Sequence, residues 1–198
     1  LWLHVDGAYG GAFVLTERGR QRLRGIELAD SVVLDPHKGF FLPFGTGALL
    51  VRDVELLRAA HSTGDAGYLQ DLSSPDLPDF ADLGPELTRG FRGLRLWLPL
   101  HLHGVAAFRA ALDEKLDLAE LVHDVLVRDE RLTVLGRPEL SIVAFRCAET
   151  GPADVVDART AELLRRVNAE GRVLLSSTRV DGRVVGRVCV LNHRTDKA

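Results

Sequence analysis

The chain has 198 residues and a formal net charge of −3, and 46% of its residues are hydrophobic. A chain of this length can form one or two domains with a sizeable buried core. Its basic residues are scattered, so the concentrated positive charge of a nucleic-acid-binding protein is absent. No apolar run approaches the roughly 20 residues that a membrane-spanning helix requires. We therefore expect a globular protein that binds neither nucleic acid nor a membrane.

The first sixty residues alternate between strand-like and helix-like segments. Apolar runs that end in turn residues predict strands, and Thr16 is a typical N-cap for the first helix. The predicted strands are residues 1–6, 31–34 and 48–51, and the predicted helices are residues 16–28 and 54–60. An order of strand, helix, strand predicts an α/β fold with a mostly parallel sheet.

The remainder of the chain changes character twice. Residues 62–86 are rich in Gly, Ser, Asp and Pro, which is typical of a functional lid or a disordered segment. Residues 86–127 keep helical spacing, with a kink or break predicted at Pro99. A small α+β domain follows, with a tight hairpin turn at Asp181-Gly182. Its predicted strands are residues 132–135, 141–147, 173–179 and 184–191, and its predicted helix is residues 154–169.

Two charged residues follow strand-like runs near the start of the chain. Asp6 ends the first run, and Lys38 comes shortly after the second. Lys38 is notable because only Lys115 and Lys197 accompany it among 25 basic residues. A lysine amine can form a Schiff base, which an arginine guanidinium cannot, and a carboxylate can hold the proton of a pyridine nitrogen. The pair therefore fits a pyridoxal 5'-phosphate (PLP) site, in which a buried carboxylate faces the pyridine nitrogen.

Several motifs connect this pair to a known family. Residues 4–11 (HVDGAYGG) and 35–38 (DPHK) resemble the paired signatures of the group II PLP-dependent amino-acid decarboxylases, such as the aromatic-L-amino-acid decarboxylases. Further matches follow in the same order: residues 45–48 (GTGA), 68–69 (YL) and 89–97 (RGFRGLRLW). The resemblance covers nearly the whole chain and implies a partial fold-type I PLP-transferase. Residues 1–115 would belong to the PLP-binding large domain, and residues 116–198 would form a small C-terminal α+β domain.

The resemblance also implies a role for each matching residue. Lys38 would form the Schiff base with PLP, and Asp6 would face the pyridine nitrogen. His37 would lie against the cofactor, and the small Ala8 would pack on its ring face. Tyr68, on a mobile loop, would protonate the substrate carbon that has lost carbon dioxide.

Each of these residues has a simpler interpretation from its position alone. Asp6 could be a turn residue at a strand end, and Lys38 a solvated loop lysine. His37 could be structural, and Tyr68 could lie on the surface. Arg187, which matches a family arginine, could form a structural ion pair or contact the substrate.

The resemblance has limits that shape the functional hypothesis. Family members carry a long region before the first signature, so we expect this chain to be part of a larger subunit and inactive alone. Many members also have a tryptophan where this chain has Gly39. The rival hypotheses are a related PLP-dependent lyase and a non-catalytic remnant that serves as an interaction module. The family further implies a homodimer and an L-amino acid substrate whose identity the sequence does not specify.

The remaining reactive side chains predict no additional chemistry. Cys147 and Cys189 lie in apolar runs, which predicts buried, reduced thiols in a cytoplasmic protein. His101 and His103 have no partner at metal-ligand spacing, so we expect no metal site.

Overall fold

A computed structural model describes residues 1–61 and 77–197. The chain forms two compact units. The first unit combines Leu1–Ala12 with Leu23–Gly104, and the second combines Phe13–Arg22 with Val105–Ala198. In the described part of the chain, no helix combines the length and the apolarity that a membrane span requires.

The first unit contains a three-stranded sheet of order β1-β2-β3. Strand β1 (His4–Asp6) runs parallel to β2 (Ser31–Leu34), and β2 runs antiparallel to β3 (Ala48–Val51). The predicted positions of β2 and β3 are confirmed, but the prediction of a mostly parallel sheet is wrong for these strands. The connection from β2 to β3 contains one helix, the four-residue α2 (Pro36–Gly39). Such a helix rises only about 6 Å, too little to return the chain to the start of the sheet as a parallel crossover requires.

The predicted first helix is divided into shorter pieces. A 3-10 turn (Gly11–Leu15) precedes α1 (Glu17–Arg22), and a second 3-10 turn (Ile26–Leu28) follows. Thr16 acts as the predicted cap, because its Oγ1 accepts a hydrogen bond from Gly19 N at 2.9 Å. Gly25 has a φ of 97°, so the chain leaves helical geometry there. Helix α3 (Val54–His61) forms as predicted, and a 3-10 turn (Phe80–Leu83) lies beyond residue 77.

The long helix α4 (Gly93–Val127) breaks at a glycine. Of the kink or break predicted at Pro99, a break is wrong, because Pro99 lies within the helix and Gly104 has the non-helical angles φ 75° and ψ 153°. Glycine adopts such a positive φ without steric cost, which explains why the break occurs there.

Farther along α4, Lys115 is fully buried. Its Nζ donates hydrogen bonds to Thr195 O at 2.6 Å and to Glu114 Oε2 at 2.8 Å.

The second unit contains a four-stranded antiparallel sheet of order β4-β5-β7-β6. Its strands are β4 (Leu132–Val134), β5 (Ile142–Cys147), β6 (Ser176–Val180) and β7 (Arg183–Cys189), and its helix α5 is Ala153–Ala169. The order of elements predicted for this region is confirmed. Asp181 and Gly182 have φ of 49° and 77°, as the predicted two-residue hairpin requires.

The core of the second unit joins α4 to this sheet. Leu118 and Ala119 of α4 pack with Val143 and Val190 in a buried apolar cluster.

The prediction of two buried thiols is wrong in part: both cysteines are free, but Cys147 is half-buried and Cys189 is exposed. Cys189 is the last residue of β7, and it pairs with the first residue of β5, Ile142, so it lies at the end of the sheet.

Candidate active site

The two signature segments meet at the ends of neighbouring strands. Asp6 ends β1 opposite Val33 of β2, and Asp35 follows the last residue of β2. The backbone N–H of Asp35 donates a hydrogen bond to the carbonyl oxygen of Ala8 at 3.3 Å. The loop after β1 is thereby joined directly to the start of the segment that carries Lys38. The carboxyl ends of adjacent parallel strands are a usual position for a ligand site in α/β proteins.

Glycines allow these loops to approach so closely. A Cβ atom on Gly11 would lie 2.3 Å from Leu34 Cδ2. A Cβ atom on Gly39 would lie 2.3 Å from Ala12 Cβ. Real Cβ atoms do not come this near, so a side chain at either position would force its neighbour to move. The flexible end of Leu34 can shift, whereas Ala12 Cβ is attached directly to the backbone, so the absence of a side chain matters most at Gly39. The glycine that replaces the family's tryptophan is therefore part of the contact between the two segments.

Lys38 lies in α2 and forms an ion pair with Asp35. Lys38 Nζ lies 2.7 Å from Asp35 Oδ2, and the Lys38 side chain keeps 39% of its exposure. Asp35 occupies the N-cap position of α2, yet its side chain accepts no capping hydrogen bond. Its carboxylate is directed to the lysine instead. We did not predict Asp35 as a site residue, although its spacing of three residues before a lysine is a usual ion-pair spacing on a helix.

His37 is held by the loop that follows α2. Its Nδ1 donates to the carbonyl oxygen of Thr46 at 2.9 Å, because a carbonyl can only accept. Phe44 meets the ring edge-on, with 5.3 Å between the ring centroids. His37 Nε2 lies 3.8 Å from Asp35 Oδ2, so this carboxylate lies near both His37 and Lys38. The GTGA match thus contributes a buried threonine whose backbone fixes the histidine.

Asp6 and Ala8 are linked by a local hydrogen bond. Asp6 Oδ1 accepts from Ala8 N at 3.0 Å, which orients the carboxylate at the end of β1. Asp6 is exposed and Ala8 is half-buried. In this chain β1 has β2 as its single described neighbour, which leaves the Asp6 carboxylate exposed, and the expected role of Asp6 stays a prediction.

Two further residues considered from the sequence are Tyr68 and Arg187, and Arg187 belongs to the second unit. Tyr68 lies outside the described residues, so its role stays a prediction. Arg187 Nε donates to the hydroxyl of Ser176 at 3.2 Å within the second sheet. This partner is uncharged, whereas the predicted structural alternative was an ion pair.

One group in the described part of the chain has the composition of a metal site. Glu120, His123 and Asp124 of α4 bring a ligand atom each to within 4.8 Å of one another. Arg137 lies 3.4 Å from Glu120 and 3.7 Å from Asp124. The hydrogen bond from His123 and the charge of Arg137 lower the pKa of Asp124. An arginine already supplies the positive charge that these carboxylates attract, so we assign no metal to this group.

Comparisons with known proteins find relatives that match nearly the whole chain. An aromatic-L-amino-acid decarboxylase of Bacillus atrophaeus is 36% identical over 98% of this chain. A phenylacetaldehyde synthase of Arabidopsis thaliana is 30% identical over 96% of it. The crystal structure of Oryza sativa TDC with PLP and tryptamine superimposes with a TM-score of 0.88 at 29% identity, over 98% of this chain. The chain spans only about two-fifths of the length of these proteins: 41%, 39% and 40%, respectively.

A protein-family model also matches this chain. The model of the pyridoxal-dependent decarboxylase conserved domain matches residues 1–148. The expected cofactor, PLP, is confirmed by this match and by the rice structure solved with PLP. The chain therefore belongs to the pyridoxal-dependent decarboxylase family.

Proposed function

We propose that this chain forms part of a PLP-dependent L-amino-acid decarboxylase in which Lys38 carries the cofactor and Asp6 faces its pyridine nitrogen. The observation that carries the proposal is the hydrogen bond from Asp35 N to Ala8 O. It joins the segment with the carboxylate to the segment with the amine. The relatives support decarboxylation as the reaction, because several of them, such as the Bacillus atrophaeus protein, are named as amino-acid decarboxylases.

The donor set fits the cofactor chemically. A single aldehyde-bearing aromatic ring can engage an amine, a flat histidine ring and a carboxylate, which Lys38, His37 and Asp6 provide from adjacent strand ends. When bound there, PLP would supply an electron sink for the electron pair that remains on the substrate when carbon dioxide leaves. The sink is strong only while the ring nitrogen keeps its proton, and an ionised Asp6 would hold that proton.

The surrounding residues would orient these groups. The hydrogen bond from Ala8 N to Asp6 fixes the direction of the carboxylate. By resemblance to the family, the small Ala8 side chain would pack on the face of the cofactor ring. The hydrogen bond from His37 to the carbonyl of Thr46 fixes the histidine ring and leaves Nε2 as the nitrogen that faces the cluster. Side chains that are already held in place lower the free-energy cost of organising a site around its ligand.

The larger organisation belongs to the same proposal. We take residues 1–115 as part of the PLP-binding large domain and residues 116–198 as the small domain. The whole protein is expected to be a cytoplasmic homodimer, and the present chain alone to be inactive. Exposed apolar side chains on the first half of α4, such as Trp97 and Leu102, offer surface for a partner. A monomer in light scattering of the PLP-bound whole protein would contradict the dimer.

Borohydride reduction of the whole protein with PLP, followed by peptide mapping, tests the central assignment. The reagent should fix the cofactor on the peptide that contains Lys38. Lys38→Arg keeps the positive charge and should abolish the label, because arginine forms no Schiff base under these conditions. Label on Lys197 alone, or no label at all, would contradict the proposal.

A further inference from the structure

Asp35 is better placed than an ordinary surface carboxylate to control Lys38. Its side chain is 23% exposed, whereas Glu17 and Glu55, which form the same type of local ion pair with arginines, are 70% and 66% exposed. Partial burial reduces the screening that makes surface ion pairs weak. The Asp35–Lys38 pair is therefore a more defined contact than those pairs.

The backbone N–H and the backbone carbonyl of Asp35 both form hydrogen bonds. Its N–H donates to Ala8 O at 3.3 Å, and its carbonyl accepts from Lys38 N at 2.7 Å. The carboxylate thus extends from a fixed point at the end of β2. A lysine has a long and flexible stem, so a hydrogen bond from its amine to a fixed carboxylate limits the positions that the amine occupies.

We propose that Asp35 is a positioning residue that holds the Lys38 amino group whenever this group is not covalently engaged. The proposal deepens the proposed function and rests on it, because it concerns the lysine assigned to the cofactor. Asp35 does not need to touch the substrate. When Lys38 is engaged elsewhere, His37 Nε2 is the nearby group toward which the same oxygen, now 3.8 Å away, can turn.

The three lysines of the chain make this proposal measurable without any cofactor. The whole protein is treated briefly with formaldehyde and cyanoborohydride, and the methylation of each lysine is measured by peptide mapping. Lys197 is exposed and serves as the reference. Lys115 is fully buried and should stay unmodified, so it reports whether the fold is intact.

Asp35→Asn should release the amine and raise the ratio of Lys38 to Lys197 labelling about two- to fivefold. The rate at which PLP forms a Schiff base with Lys38, followed by absorbance, should fall in the same variant, because the amine is no longer held in position. A residue that only supports the fold would not move the two rates in opposite directions. Asp53→Asn is the matched control: Asp53 also precedes a helix, accepts from Glu55 N, and should leave both rates unchanged.

An unchanged labelling ratio in Asp35→Asn, with Lys115 still protected, would overturn the proposal. If that variant exposes Lys115, Asp35→Glu replaces it. Glutamate keeps the charge but displaces it by one methylene, so the labelling ratio should stay near that of the unmodified protein while PLP capture slows. PLP capture at the unmodified rate in Asp35→Glu would then count against positioning. If PLP never reacts at Lys38 in the unmodified protein, the proposed function fails, whereas the formaldehyde ratio still reports on Asp35.

Discussion

Gly39 and Ala12 lie so close together that a Cβ atom on Gly39 would be 2.3 Å from the Cβ atom of Ala12. Gly39 ends α2 and directly follows Lys38, whereas Ala12 lies in the 3-10 turn that follows the first signature. Both are buried. The residue after the proposed cofactor lysine is therefore fixed by packing against the turn that follows the first signature.

Gly39→Ala should destabilise the protein by about 1–3 kcal/mol, because the added methyl must displace backbone or the Ala12 side chain. Chemical denaturation of the whole protein measures this change. Gly47→Ala is the matched control, since a Cβ at Gly47 meets nothing within 4 Å. Equal stability of the two variants would show that the contact relaxes without cost.

Asp6→Asn should separate cofactor binding from turnover. The amide keeps the shape and can still accept from Ala8 N, so the strand end should stay in place. It loses the charge that would hold the ring proton, and turnover should fall about a hundredfold or more. Absorbance of bound PLP and the rate of carbon dioxide release measure the two effects. Full turnover in this variant would show that Asp6 is only a turn residue.

Tyr68→Phe tests the proton donor, which lies outside the described residues. Loss of the phenol should slow formation of the amine by about 10²–10⁴-fold. The unprotonated substrate carbon would persist longer, so carbonyl side products should increase relative to the amine. Product analysis of a single turnover distinguishes the two. An unchanged rate with no side product would favour another PLP lyase or another proton donor.

Asp157 should contribute to stability in a pH-dependent way. Burial acts to raise the pKa of Asp157, but hydrogen bonds from Val184 N and Arg183 outweigh it, and the pKa lies below its ordinary value of 3.8. A carboxyl group with a lowered pKa stabilises the fold fully above pH 3.8, and this stabilisation is lost as the pH falls through the lowered value. Unfolding measured between neutral and acidic pH should therefore depend less on pH in Asp157→Asn. The same steepness in both proteins would contradict this assignment.

Local patterns in the sequence predict the helices and strands well, but they do not predict how distant segments of the chain are arranged. Strand β2 and the Asp181-Gly182 hairpin follow from apolar runs and turn chemistry, which act over a few residues. The antiparallel direction of β3 follows from the short connection after β2, whose four-residue helix is too short for a parallel crossover. The residue pattern does not predict the length of that helix.

The site shows the same division. The motifs predict Asp6, His37 and Lys38 as site residues, and the ends of β1 and β2, which precede them or carry them, lie side by side. The role of Asp35 as the partner of Lys38 depends on a side chain that turns away from its helix cap. The exposure of Asp6 depends on which strands flank β1, and a single sequence does not contain that information.

The division of the chain into interleaved units has a practical consequence for dissecting the protein. The second unit takes α1 from a distant part of the sequence, and Arg18 of that helix pairs with Asp113 and Asp117 of α4 at 3.1 and 2.8 Å. Arg109 also donates to Leu15 O at 2.7 Å. A piece that starts at residue 105 would lose these contacts. Transplanting the second unit into another protein therefore requires residues 13–22 to be supplied in the same molecule, through a linker or a circular permutation.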